Sequence, residues 1–99
     1  MEISYLYVIG PFDDGPVKLG ISKDPEARLR QLQTGHAQRL RLYHQEPVAA
    51  SKARLFESLL HRQLNYLRTH GEWFDLSVQD AIANVQFTLI EHDESELTP

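Results

Sequence analysis

The stretch Ser4 to Gly10 (Ser-Tyr-Leu-Tyr-Val-Ile-Gly) is dense in aromatic and β-branched residues and closes on Gly10-Pro11, which predicts a strand. Pro11 to Pro16 is made of turn formers. Val17 to Ser22 then alternates apolar and polar positions up to Gly20, giving a second strand and a hairpin. Asp24-Pro25 predicts a helix start, because an Asp side chain caps free amides and proline has none to satisfy. That helix should stop at Gly35, with Leu29 and Leu32 as its apolar stripe and Arg28, Arg30 and Gln31 in water. Arg39 to Gln45 sets Leu40, Leu42 and His44 against Arg39, Arg41 and Tyr43, a third strand that Pro47 should end. Ser51 to Thr69 carries the strongest helical period: Phe56, Leu59, Leu60, Gln63 and Leu67 share one face, and Arg54, Glu57, His61, Asn65 and Arg68 the other. Glu72-Trp73-Phe74 follows Gly71 as a short extended segment whose aromatics are expected to be structural. Ser77 caps a last helix buried through Val78, Ala81, Ile82, Val85 and Leu89, and residues 92–99 should form a frayed acidic tail. The elements predict one α/β (α+β) domain over residues 1–99, a small three-stranded antiparallel sheet flanked by helices.

Composition narrows the classes. Among 99 residues there is no cysteine, so thiolate metal sites and cysteine nucleophiles are excluded. No apolar run approaches the roughly 20 residues of a membrane helix, and the first residues lack a secretory signal, so a cytoplasmic protein without membrane contact is expected. The net charge of -4 hides a segregation. All ten basic residues lie between Lys18 and Arg68 against four acids there, a net +6, while residues 1–17 carry -3 and residues 69–99 carry -7. A basic middle segment suits phosphate, with a merely solvated face as the competing reading.

Glu57 is the only acid on the polar face of the second long helix. One carboxylate suffices as a foothold for Mg²⁺, which usually keeps waters and substrate phosphate in its other positions. Alternatively, Glu57 pairs with Arg54 or His61 on the same helix, and cations around it should lower its pKa. His61, one turn on, is placed to support a metal or a proton transfer. The fork of Arg28 suits bidentate phosphate contact. Tyr5 and Tyr7 share a sheet face, and either phenol needs a cation such as Lys18 nearby to act as a base, since its ordinary pKa is about 10.

Tyr5-Leu6-Tyr7, ten residues, and Lys18-Leu19-Gly20 resemble the paired strands of the GIY-YIG nuclease superfamily, with Arg28 ten residues after Lys18 and Glu57 on the later helix. The run Glu57, Leu60-His61, Arg68 and Gly71-Glu72-Trp73-Phe74 resembles its compact phage and bacterial branch, in which Lys replaces the second tyrosine. Leu32 stands where His or Tyr is often found, and no late Asn is matched. The resemblance implies a GIY-YIG-like fold and a single divalent cation, Mg²⁺ or Mn²⁺, on Glu57. It further implies that Tyr7 helps deprotonate the attacking water and that Arg28 supports the strained phosphate.

The expected function is metal-dependent endonucleolytic hydrolysis of DNA, with RNA as the alternative substrate. Tyr7, Lys18, Arg28, Glu57 and His61 form the expected catalytic set, and Tyr5, Arg28, Arg30, Arg39, Arg54 and Arg68 the nucleic-acid contacts. A non-catalytic nucleic-acid-binding module and a protein-interaction domain are the competing classes. So short a chain leaves specificity to a homodimer or to a partner protein.

Overall fold

The computed structural model describes residues 2–97 and shows a small α+β fold built on one antiparallel sheet. The sheet has five strands, not three: β1 (Ile3–Pro11), β2 (Val17–Ser22), β3 (Leu40–Ala49), β4 (Arg68–His70) and β5 (Trp73–Phe74), in the order β3-β1-β2-β5-β4. The extra pair arises because the second long helix ends early. This helix, α2 (Ala50–Gln63), gives way at Leu64 to a 3-10 turn over Asn65–Leu67, and the chain continues as β4. Leu67 and Arg68 fit the helical period by coincidence, and their hydrogen bonds go elsewhere: the Leu67 carbonyl accepts from Asp75 at 2.7 Å.

The two sheet faces are covered by different helices. Leu6, Val8, Val17, Leu19 and Phe74 face α2 and α3 (Val78–Leu97), where Ala53, Phe56, Leu60, Leu64, Ala81, Val85 and Leu89 complete the main core. On the other face Tyr7, Ile9 and Leu40 pack with Leu29 and Leu32 of α1 (Pro25–Thr34). The Asp24 carboxylate caps α1 by accepting from the Ala27 amide at 3.1 Å. The start of α3 is tied down twice, by Ser77 accepting from Asp80 at 3.0 Å and Asp14 accepting from Val78 at 2.7 Å.

Pro47 does not end β3. It pairs with Tyr5 inside the strand, which is permitted because β3 is an edge and needs no amide on its outer side. A bulge opposite Val8/Ile9 breaks the simple alternation expected of β3, leaving Leu42 opposite Ile9 on the α1 face but His44 opposite Val8 on the other. The backbone of the acidic tail, expected to fray from His92, is helical to Leu97; Thr98 and Pro99 lie outside the described residues. Among the described residues no helix is long and apolar enough to cross a membrane.

Candidate active site

The candidate site is a notch in the sheet where β5 stops. This strand pairs with β2 only at Val17 and Lys18, so the outer edge of β2 from Leu19 onward lacks a strand partner. Side chains of α2 and the β4–β5 turn occupy that edge instead. The Glu72 carbonyl accepts from the Leu19 amide at 3.1 Å, His61 Nε2 donates to the Leu19 carbonyl at 2.7 Å, and the Ile21 amide donates to the Glu57 carboxylate. Two residues one helical turn apart are thus fixed by two backbone groups that a longer β5 would have used.

Tyr7 and Lys18 reach the notch from the sheet. Tyr7 stands across the β1–β2 ladder from Gly20, and Lys18 lies two residues earlier on the same face. Tyr5 pairs with Ser22 further along, so of the two candidate phenols Tyr7 is the one in the notch. A Cβ on Gly20 would lie 2.5 Å from the Tyr7 hydroxyl oxygen and 2.7 Å from Glu72 Oε2. The glycine therefore leaves the room in which a phenol and a carboxylate converge. Arg28, from α1, hydrogen-bonds the Tyr7 hydroxyl and also donates to Gln31 at 3.2 Å.

Burial governs the charges. It pushes the Tyr7 phenol above its usual pKa, with the Glu72 and Glu57 carboxylates adding to the rise and the Arg28 hydrogen bond opposing it. The cation facing this phenol is Arg28, not Lys18 as the sequence suggested. Lys18 is 7% exposed, its amine stands 5.8 Å from the centre of the Trp73 ring, and burial pulls its pKa down. No carboxylate of the described residues lies within ion-pair distance of this amine. Glu57 shifts opposite to the sequence expectation: burial first, and then Glu72, raise its pKa, outweighing His61, the Ile21 amide and Arg54. The expected neighbours Asn65 and Arg68 lie beyond the end of α2, and Glu57 forms no ion pair with Arg54 or His61.

Tyr7, Lys18, Arg28, Glu57 and His61, drawn from four elements, thus meet at one notch, while the remaining arginines disperse. Arg30 and Arg39 line a cleft of about 630 Å³ between α1 and β3. Arg54 is exposed on α2, and Arg68 sits on β4 over the Phe74 ring at 5.3 Å, donating to the Gly71 carbonyl. Of the aromatic pair, Phe74 is wholly buried and Trp73 only partly, its ring 5.4 Å from that of His36.

Sequence reasoning missed Glu72 as a site residue. Its donor oxygen, one of Glu57 and a ring nitrogen of His61 all lie within 4.8 Å of one another, a set able to hold a metal ion. No signal in the sequence marked it, because Glu72 lies in the β4–β5 turn and reaches the notch only through the pairing of Trp73 with Lys18.

No curated protein and no solved structure matches the chain. A family model does match, over residues 4–89, and it is that of the T5orf172 domain, not one of the GIY-YIG superfamily, so the assignment drawn from the two tripeptides is corrected. Those tripeptides report a local arrangement, a hairpin with a buried tyrosine opposite a glycine, and Lys18 and Leu32 already depart from the superfamily pattern. By the match over most of its length, the chain belongs to the T5orf172 domain family.

Proposed function

We propose that the domain hydrolyses phosphodiester bonds of DNA in a reaction that depends on a divalent cation. T5orf172 domains are a nuclease-like, DNA-binding family, which agrees with this reading at the coarse level. The observation that carries the finer reading is the convergence of Tyr7, Arg28, Lys18 and the Glu57–His61 pair at the β2 edge.

Hydrolysis forms a bond from phosphorus to a water oxygen and breaks the bond to a sugar oxygen. It needs a base for the water proton and positive charge on the non-bridging oxygens. Arg28, held by Tyr7 and Gln31, presents a planar fork to the phosphate. Tyr7 rests as the phenol, because burial outweighs Arg28, so its oxygen orients the attacking water instead of taking its proton outright. The Lys18 amine adds positive charge beside the phosphate, the proton of the attacking water passes to solvent, and the leaving sugar oxygen takes one from solvent. Glu57 would hold the cation, Mg²⁺ or Mn²⁺, with His61 beside it. When bound, such an ion polarises the phosphate and lowers the pKa of its water. The donor atoms of Glu57, His61 and Glu72, all within 4.8 Å of one another, fit such an ion.

The test is incubation of the purified chain with single- and double-stranded DNA and RNA, in Mg²⁺, Mn²⁺ or chelator. Cutting of a DNA form with metal and none with chelator is expected. Salt-sensitive binding without turnover in any metal would instead make this a binding module.

A further inference from the structure

Glu57 and His61 on α2 and Glu72 in the β4–β5 turn are brought to one point only by folding, each offering a donor atom within 4.8 Å of the other two. An ion bonded at about 2.1 Å keeps its donors roughly 3 to 4 Å apart, so small side-chain rotations close this set on one cation. We infer that Glu57, His61 and Glu72 form a three-ligand divalent-cation site that favours Mn²⁺ over Mg²⁺. The inference rests on the metal-dependent reading above and extends it from one carboxylate to three ligands.

Glu72 supplies the first argument. Its carboxylate is half-buried, has no hydrogen bond or ion pair among the described residues, and projects into the space that Gly20 leaves free. Two half-buried carboxylates side by side repel one another unless a cation lies between them. A side chain with no protein partner at that position is available to an ion.

His61 supplies the second. A carbonyl only accepts, so the 2.7 Å bond to Leu19 puts a proton on Nε2, and Nδ1 is the ring nitrogen left to offer a lone pair to a metal. Metal-bound imidazoles are commonly oriented by a bond of this type to a backbone carbonyl. Mg²⁺ prefers an all-oxygen octahedron, whereas an imidazole nitrogen is better accepted by Mn²⁺ and the later metals.

The third argument is the Lys18 amine, 7% exposed and without an ion-pair partner among the described residues. Its charge acts on Glu72 and Glu57 from beyond ion-pair distance, so neither carboxylate is tied to it. With Arg28 it makes the opposite wall of the notch cationic, so a phosphate bound to the ion would be met by positive charge on its other side.

The test is a Mn²⁺ titration of the purified chain without nucleic acid, followed by the electron paramagnetic resonance of free Mn²⁺ and competed with Mg²⁺. Thermal melts serve as the folding control. One Mn²⁺ should bind, more tightly than Mg²⁺. Glu57→Gln, Glu72→Gln and His61→Ala should each weaken it about tenfold or more, and His61→Ala should also erase most of the preference. In the parent, with no variant needed, Mn²⁺ should first broaden the amide resonances of Leu19, Glu57, His61 and Glu72. Parental affinity in Glu72→Gln or His61→Ala, with loss only in Glu57→Gln, overturns the three-ligand site and leaves the proposed function standing. Broadening centred elsewhere, or no Mn²⁺ binding by the parent, overturns both.

Discussion

The hydroxyl of Tyr7 occupies the space that any side chain at position 20 would need: it lies 2.5 Å from an ideal Cβ there, in the pair where Tyr7 and Gly20 stand opposite each other. Gly20→Ala forces the phenol and the Glu72 carboxylate aside together. Overpacking of this kind costs about 1 to 3 kcal/mol, so the melting temperature should fall by several degrees. Cleavage should fall further, by well over tenfold, in single-turnover assays below the melting range. Parental cleavage by a destabilised Gly20→Ala would separate the glycine from the site.

Lys18 is buried without an ion-pair partner among the described residues, which makes it a cost to the fold. Lys18→Met should stabilise the domain by on the order of 1 kcal/mol, about 4–8 °C for a chain of this size, while abolishing cleavage. The sign with pH follows from the lowered pKa: the unfolded chain binds the extra proton between the folded value and 10.5, so Lys18 makes parental stability rise through that window. Parent and variant should therefore converge as pH approaches 10.5, in denaturant melts taken at several pH values. A less stable Lys18→Met would show that the ammonium is held by the fold.

The arginines divide by position. Arg30→Ala with Arg39→Ala should weaken DNA binding and flatten its salt dependence by a slope of up to about 2, leaving the cutting rate of bound DNA unchanged, because both line the α1–β3 cleft. Arg28→Lys keeps the charge but loses the fork that reaches Tyr7, so it should bind with a near-parental slope and cut slowly. Fluorescence anisotropy against salt, alongside saturating single-turnover cleavage, distinguishes the two groups.

Much of this arrangement is local and therefore legible in the chain. The β1–β2 hairpin places Tyr7 opposite Gly20 by strand alternation, and Asp24-Pro25 starts α1 where an Asp cap and a proline should. What escaped the sequence is what depends on distant pairing. Arg68 continues the period of α2 in sequence but is drawn into β4 by a carbonyl-to-amide bond between Leu67 and Asp75. Glu72 enters the notch only because Trp73 pairs with Lys18, more than fifty residues earlier. The direction of the Glu57 pKa was misjudged for the same reason: its helix neighbours are cations, but the folded chain adds burial and a second carboxylate.

Glu57 carries the claim of metal-dependent chemistry, and Glu57→Gln isolates it. Its raised pKa means the charged form is penalised in the fold, a penalty absent below 4.5 and complete above the folded value. The variant should thus be at least as stable as the parent at neutral pH, with the advantage lost on acidification. Its neutral amide can still accept from the Ile21 amide, so the notch keeps its shape. The deciding measurement is DNA cleavage by parent and Glu57→Gln side by side, in Mg²⁺ and in Mn²⁺, with DNA binding measured on the same samples. The result expected is a folded variant that binds DNA as well as the parent, or more tightly, and does not cut it in either metal; metal-stimulated cutting at the parental rate would contradict the assignment of Glu57 as the metal-holding residue.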